Sequence, residues 1–226
     1  MSIVFEAKDI VKTYKNDELE VDVLKGINLN ITKGDFVSIR GSSGVGKSTF
    51  LNILGALDKA TSGTVKIDGV LLDNYYKNDS IHLYRREKIG FVFQSHYLMP
   101  DFTVLENVMM PLLILKENKK IAEEKAKEAL KDVGLENRIA HFPSQISGGE
   151  SQRAAAARAI VHTPPIILAD EPTGNLDNKN SERFIEIFSK LQEQRNLTIL
   201  VVTHDLNLAD MANKKYKMDD GLLYDF

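Results

Sequence analysis

FVSIRGSSGVGKSTFLNIL, residues 36–54, is the stretch that decides the fold. It opens with FVSIR, a compact apolar run that ends on glycine and reads as a buried strand. From Lys47 onward, KSTFLNILGAL (47–57) repeats apolar positions at helical spacing. Between them GSSGVGKST (41–49) fits G-x-x-x-x-G-K-[ST] through Gly41, Gly46, Lys47 and Ser48. Gly41, Gly44 and Gly46 permit dihedrals that let successive N–H groups converge on one point. Ser42, Ser43, Val45 and Thr49 complete that cradle. The helix beginning near Lys47 adds its positive end. Lys47 reaches the β- and γ-phosphates, and the Ser48 hydroxyl can ligate Mg²⁺. A strand, a phosphate-gripping turn and a helix in that order imply an α/β fold with a nucleoside triphosphate site.

Outward from this core, IGFVFQ (89–94), PPIILADEP (164–172) and LTILVVTHD (197–205) read as further buried strands, and SERFIEIFSKLQEQ (181–194) as an amphipathic helix. Buried strands alternating with helices predict a mostly parallel sheet with helices on both faces. Residues 3–35 alternate apolar and polar in short runs. They predict an antiparallel β section with turns near Asn16-Asp17 and Lys33-Gly34. GTVKIDG (63–69) is another short strand, and the chain ends in short β.

Residues 95–160 differ, being rich in helix formers and charge. In KENKKIAEEKAKEALKDVGL (116–135), Ile121, Ala122, Ala126, Ala129, Leu130 and Val133 fall on one side of a helix that Gly134 stops. The charge run is its solvated face. The expected organisation is one domain over 1–226. Within it, 1–94 and 161–226 form a nucleotide-binding core with the antiparallel section, and 95–160 an inserted α-helical subdomain standing off the sheet. VMMPLLIL (108–115) suits either core or a partner surface.

Composition narrows the function. The 226 residues carry a formal net charge of -3, so nothing pulls the whole chain toward nucleic acid or anionic lipid. With no cysteine there are no disulfides and no thiolate metal sites. MSIVFEAKDI lacks a basic n-region and is not expected to be a secretory signal. VMMPLLIL, the longest near-apolar stretch, is too short to span a bilayer. If the protein works on a membrane, another chain must do the spanning.

ILADE (167–171) puts two acids at a strand's carboxyl end, where ligands gather in such sheets. Neighbouring strand residues point opposite ways, so the two need not do one job. Asp170 suits the Mg²⁺ shell. Glu171, one methylene longer, can reach a water lined up on the γ-phosphate, as general base or to position that water. His204 follows another strand end on the same edge, placed to contact the γ-phosphate and hold the attacking water; alone, a strand-end histidine is usually structural. Tyr14, in KTYK, suits base stacking or a sheet-surface aromatic equally. Gln94 by itself carries no reading. QISGGESQR (145–153) opens a second helix with a serine and two glycines, a place where N–H groups can hold a phosphate, yet it has no lysine.

Taken in order, GSSGVGKST, Gln94, ISGGESQR, ILADEP, GNLD (174–177) and His204 closely resemble the ATP-binding subunits of ABC transporters, over essentially the whole chain. That resemblance implies a P-loop NTPase core that binds ATP and Mg²⁺ and hydrolyses ATP. It implies head-to-tail pairing of two copies around two ATP molecules. Each nucleotide then meets the Gly41–Thr49 loop of one copy and Ser147, Gly148, Gly149 and Glu150 of the other. By the same resemblance Asp177 lies at the dimer interface, Tyr14 stacks on adenine, and Gln94 touches Mg²⁺ at the hinge of a helical subdomain that docks on a membrane partner. SHYLMPDFTVLENVMMPLLI (95–114), ALDKATSG (56–63) and SGGESQR look like the lipoprotein-releasing (LolD-type) branch, near the MacB-type macrolide and peptide exporters. Glu150, where the wider family most often has Gln, supports that placement. The implied work is extraction of lipoproteins from the inner membrane toward a periplasmic carrier, at the cytoplasmic face, with LolC/LolE-like permease subunits and no nucleic acid.

Three other functions compete. A MacB-type exporter ATPase differs only in its membrane subunit, and a chain ending at 226 without a fused membrane region favours separate subunits. For a soluble DNA-repair or ribosome-associated ATPase, DNA-repair relatives carry a long coiled coil between the two glycine turns, but here only about a hundred residues intervene, without sustained heptads, and ribosome-associated relatives usually join two cassettes in one chain, where this is one. A nucleotide-binding regulator that never hydrolyses is opposed by the intact Glu171 and His204.

Overall fold

The computed structural model describes residues 2–15 and 19–226. The expected turn at Asn16-Asp17 lies outside those residues. On either side of it, β1 (Ile3–Lys15) and β2 (Glu20–Thr32) pair antiparallel, as expected, and Lys33-Gly34 turns the chain into β3 (Phe36–Arg40). β4 (Ser62–Ile67) and β5 (Val70–Leu71) join them in a four-stranded antiparallel sheet of order β2-β1-β4-β5.

The second sheet has six strands. β6 (Ile89–Phe93), β7 (Ile166–Asp170), β8 (Ile199–Val202), β9 (Lys214–Asp219) and β10 (Leu222–Asp225) line up with β3 in the order β10-β9-β3-β8-β7-β6. All neighbours are parallel except β10 against β9. Apolar runs of four or five residues make such strands because both faces are covered. Ile167, Ala169, Ile199 and Val201 enter one core, and Ile166, Leu168, Leu200 and Val202 the other.

The second of these cores lies between the two sheets around α1 (Lys47–Leu54), which buries Phe50, Leu51, Ile53 and Leu54. The sequence predicts helix to residue 57, but the α-helix ends at the Gly55 cap. Two short helices follow β5, α2 (Leu72–Lys77) and α3 (Ile81–Lys88). Tyr84 anchors α3, fully buried with its hydroxyl donating to the Leu54 carbonyl at 2.6 Å.

The first core is covered by α4 (Val104–Ile114), α5 (Lys119–Asp132), α6 (Gly148–Ile160) and α7 (Asn178–Arg195). Its apolar contacts run unbroken from the sheet face into α4, α5 and α6, so the helices within 95–160 do not close a core of their own. In α5, Ala122, Ala126, Ala129 and Leu130 form the buried stripe, and Val133 is buried at its cap. Ile121 is not part of it and stands 42% exposed. At 100° per residue it lies well off the centre of that stripe. Gly134 ends the helix at φ 68°, with Leu135 N–H donating to Leu130 and Gly134 N–H to Lys131.

VMMPLLIL divides between its two readings. Val108, Met109 and Leu112 are core, while Leu113 and Ile114 are exposed. Asn107 is buried among them and its amide ties Met99, Phe102 and Thr103 to α4, so no polar group there is left unpaired. Among the described residues no helix is long and apolar enough to cross a membrane.

Candidate functional site

Four adjacent strands present the candidate residues along one edge of the parallel sheet. β3 runs into Gly41–Gly46, β8 into His204, β7 into Asp170 and Glu171, and β6 into Gln94. Adjacent carboxyl ends put residues from distant parts of the chain side by side, where α/β sheets bind ligands.

Gly46 takes φ 106° and starts α1 with no side chain to cap its first turn. The N–H groups of that turn are therefore left for a ligand. Ser42, Ser43, Gly44 and Ser48 are exposed, so the loop lies on an open face. Lys47 is buried; its ammonium donates to the carbonyls of Gly41 (2.8 Å) and Ser42 (3.0 Å) and lies 3.9 Å from Glu171.

The Ser48 hydroxyl donates to Asp170 Oδ1 at 2.9 Å. Burial raises the Asp170 pKa above the usual carboxylate range, with Glu171 adding to the rise and Ser48 and Lys47 opposing it. A cation beside this pair would relieve that cost. Among the described residues no cluster of three or more acids or histidines offers a full protein ligand set. The hydroxyl–carboxylate pair therefore fits an ion such as Mg²⁺, which takes one or two carboxylates and completes its shell with phosphate oxygens and water.

Glu171 lies just past the end of β7 in a left-handed conformation, φ 44°. It thus diverges from Asp170 by leaving the strand, and simple strand alternation does not apply. Its Oε2 accepts the His204 backbone N–H at 3.0 Å and lies 2.8 Å from His204 Nδ1. The imidazole is 68% exposed, so it faces the open side where a phosphate would sit.

Gln94 is bonded to the loop that follows β7. Its amide donates to Asn175 Oδ1 at 3.0 Å, and Asn175 returns a bond to the Gln94 carbonyl. Tyr14 is 45% exposed; its hydroxyl donates to Asp58 at 2.5 Å and interacts with Thr49 of the phosphate loop.

The second glycine turn is a capped helix start. Ser147 caps α6, accepting the Glu150 N–H, while Glu150 Oε2 accepts the Ser147 N–H (2.8 Å) and hydroxyl (2.9 Å). This is a capping box. Arg138 Nε donates to the other oxygen of Glu150 at 2.9 Å. The Ser147 backbone and Arg138 hold the Glu150 pKa down at about 2. Asp177 is exposed and caps α7 through the Asn180 N–H. Among the described residues no hydrogen bond or ion pair joins the phosphate loop to the α6 turn.

Sequence reasoning missed the residues that tie these parts together. Gln152 donates to the Phe93 carbonyl, and Arg158 to those of His96 and Tyr97, so α6 grips the loop that follows Gln94. The S-x-x-E spacing of Ser147 and Glu150 was a readable capping signal. Arg138 has no local signal, because its partner is twelve residues away.

Residues 24–174 match the family model of the ABC transporter. The chain belongs to the ABC transporter family. This ABC cassette is 45% identical over 223 residues to the lipoprotein-releasing system ATP-binding protein LolD of Cytophaga hutchinsonii, covering 99% of this chain and 100% of that protein. It is 46% identical to the LolD of Geobacter metallireducens, covering 98% of each. The dimeric structure of a post-hydrolysis state of the ATP-binding cassette MJ0796 bound to ADP and Pi matches it with a TM-score of 0.87 at 44% identity, over 98% of each chain.

Proposed function

We propose that this ABC cassette is the ATP-hydrolysing subunit of a transporter that releases lipoproteins from the inner membrane toward a periplasmic carrier. The hydrolytic half rests on one observation, the row of Lys47, Asp170, Glu171 and His204 at adjacent strand ends. The cargo rests on the identity, over nearly the full chain, to LolD proteins.

In this reading the N–H groups of residues 41–49 and Lys47 hold the β- and γ-phosphates, and Tyr14 packs on the base. Ser48 and Asp170 would hold Mg²⁺, and Gln94 would join them on release from Asn175. When bound, that ion neutralises charge on the phosphate oxygens. Glu171 takes the proton of the attacking water, and His204 positions that water and the γ-phosphate.

The turn at Ser147, Gly148 and Gly149 serves a second copy of the chain. The phosphate loop lies on an open face and, among the described residues, the α6 turn makes no bond to it, which supports reading each as half of a site. The dimeric, ADP- and phosphate-bound MJ0796 cassette supports this pairing. Each cross-subunit hydrogen bond to a phosphate is worth about 1.5–3 kcal/mol, so ATP favours the closed dimer and phosphate loss reopens it.

Membrane permease subunits of the LolC/LolE kind would hold the cassette at the cytoplasmic face. A groove of about 540 Å³ between α3 and α4 suits them; its floor includes Phe91, Phe93, Tyr97, Met110, Pro111 and Ile114. The α6 bonds to residues 93–97 link that groove to Gln94.

The experiment is reconstitution with the native membrane partners. ATP should release an acylated protein from proteoliposomes to a soluble carrier. ATP-driven export of macrolides or peptides, without such release, would replace the cargo while leaving the ATPase.

A further inference from the structure

The proposed trans contact contains an electrostatic conflict. The N-terminus of a helix carries about half a positive charge, which attracts a phosphate. Glu150, in the first turn of α6, brings a full negative charge to the same place. Its carboxylate also takes the one proton of the Ser147 hydroxyl, which the opposite γ-phosphate would need as a donor. A carboxylate there both repels the phosphate and competes for its hydrogen bond.

Arg138 answers the charge conflict. It donates to Glu150 Oε1 at 2.9 Å while Ser147 occupies Oε2, so the two oxygens are divided between cation and cap. The Glu150 side chain is 19% exposed and that of Arg138 43%, so the pair is partly screened by solvent. Arg153, one turn further on, senses the Glu150 charge, but among the described residues it makes no ion pair with it.

We propose that Arg138 is a positioning residue for the nucleotide of the opposite subunit. Acting through Glu150, it offsets the carboxylate charge at the start of α6, where the opposite γ-phosphate would arrive. The loop after α5 thereby sets how readily ATP closes the dimer. This rests on the two-subunit ATP site proposed above.

The test measures the ATP concentration that half-converts monomer to dimer, by sedimentation, in the Glu171→Gln background. Arg138→Gln should raise that concentration about threefold, the size of a partly exposed ion pair. Arg138→Lys should raise it less. Adding Glu150→Gln to Arg138→Gln should bring it back toward the parent value, because a neutral amide still caps Ser147 but needs no cation. Binding of a fluorescent ATP analogue to the monomer should not change in any variant. An Arg138→Gln dimer forming at the parent's ATP concentration overturns the inference, whatever happens to its melting temperature. So does an Arg138→Gln defect that Glu150→Gln leaves in place. A Glu171→Gln parent that stays monomeric with ATP overturns the two-subunit site itself, and this inference with it.

Discussion

Gly149 lies so close to Asn180 that a β-carbon at 149 would come within 2.5 Å of Asn180 Oδ1. One residue earlier, a β-carbon on Gly148 would meet nothing within 4 Å. The two glycines of the α6 turn therefore have different reasons to be glycine. Gly149 lets α6 and α7 approach each other, and Gly148 leaves an open face.

That difference separates folding from assembly. Gly148→Glu should leave the fold and ATP binding to the monomer intact, yet lower turnover about a hundredfold, as the loss of a phosphate contact does. Gly149→Ala should instead destabilise the fold by about 1–3 kcal/mol, because the Asn180 side chain must move. ATPase rates and denaturant melts check both. A Gly148→Glu protein with normal turnover would mean that nothing approaches this turn.

Asp170→Asn should trade function for stability. A carboxyl whose folded pKa lies above its unfolded value of 3.8 costs stability once pH rises past that value. Asparagine removes the charge and keeps an acceptor for Ser48. Without nucleotide, the variant's melting temperature should gain on the parent's as pH rises from about 4 and then level off. Mg²⁺-dependent turnover should fall. A parent that gains on the variant over that window contradicts the sign.

Glu171→Gln should bind ATP and lose turnover by about 10²–10⁴-fold, the usual contribution of a general base. His204→Ala is a cleaner probe of the imidazole, since the backbone N–H at 204 still holds the Glu171 carboxylate. It too should bind ATP and lose turnover. Hydrolysis at the parent rate by either variant removes that residue from the chemistry.

Much of this site was legible because its residues sit where local patterns are strongest. The runs at β3, β7 and β8 are mainly apolar, and each leads into a chemically marked residue. What escaped depends on partners far away in the sequence. α2 and α3 were not anticipated, since LDNYYKNDSIHLYRREK has only Leu72 and Tyr84 as buried anchors within those helices. α8 (Leu206–Asp210) is a single turn capped by Asp205 and carries no periodicity to read. β4 was expected as a strand, but its pairing with β1 rather than with the parallel sheet is set by β1 residues some sixty positions away. The family resemblance makes Glu150 a mark of branch and a trans nucleotide contact, but no sequence signal points to its bond with Arg138. Its bonds to Ser147 and Arg138 give it a physical task.

The central claim is that each nucleotide site is completed by a second copy of the chain. The most direct measurement is the mass of Glu171→Gln protein in solution, with and without saturating ATP. The expected result is monomer without ATP and dimer with it. Protein that stays monomeric at high concentration with saturating ATP contradicts the claim.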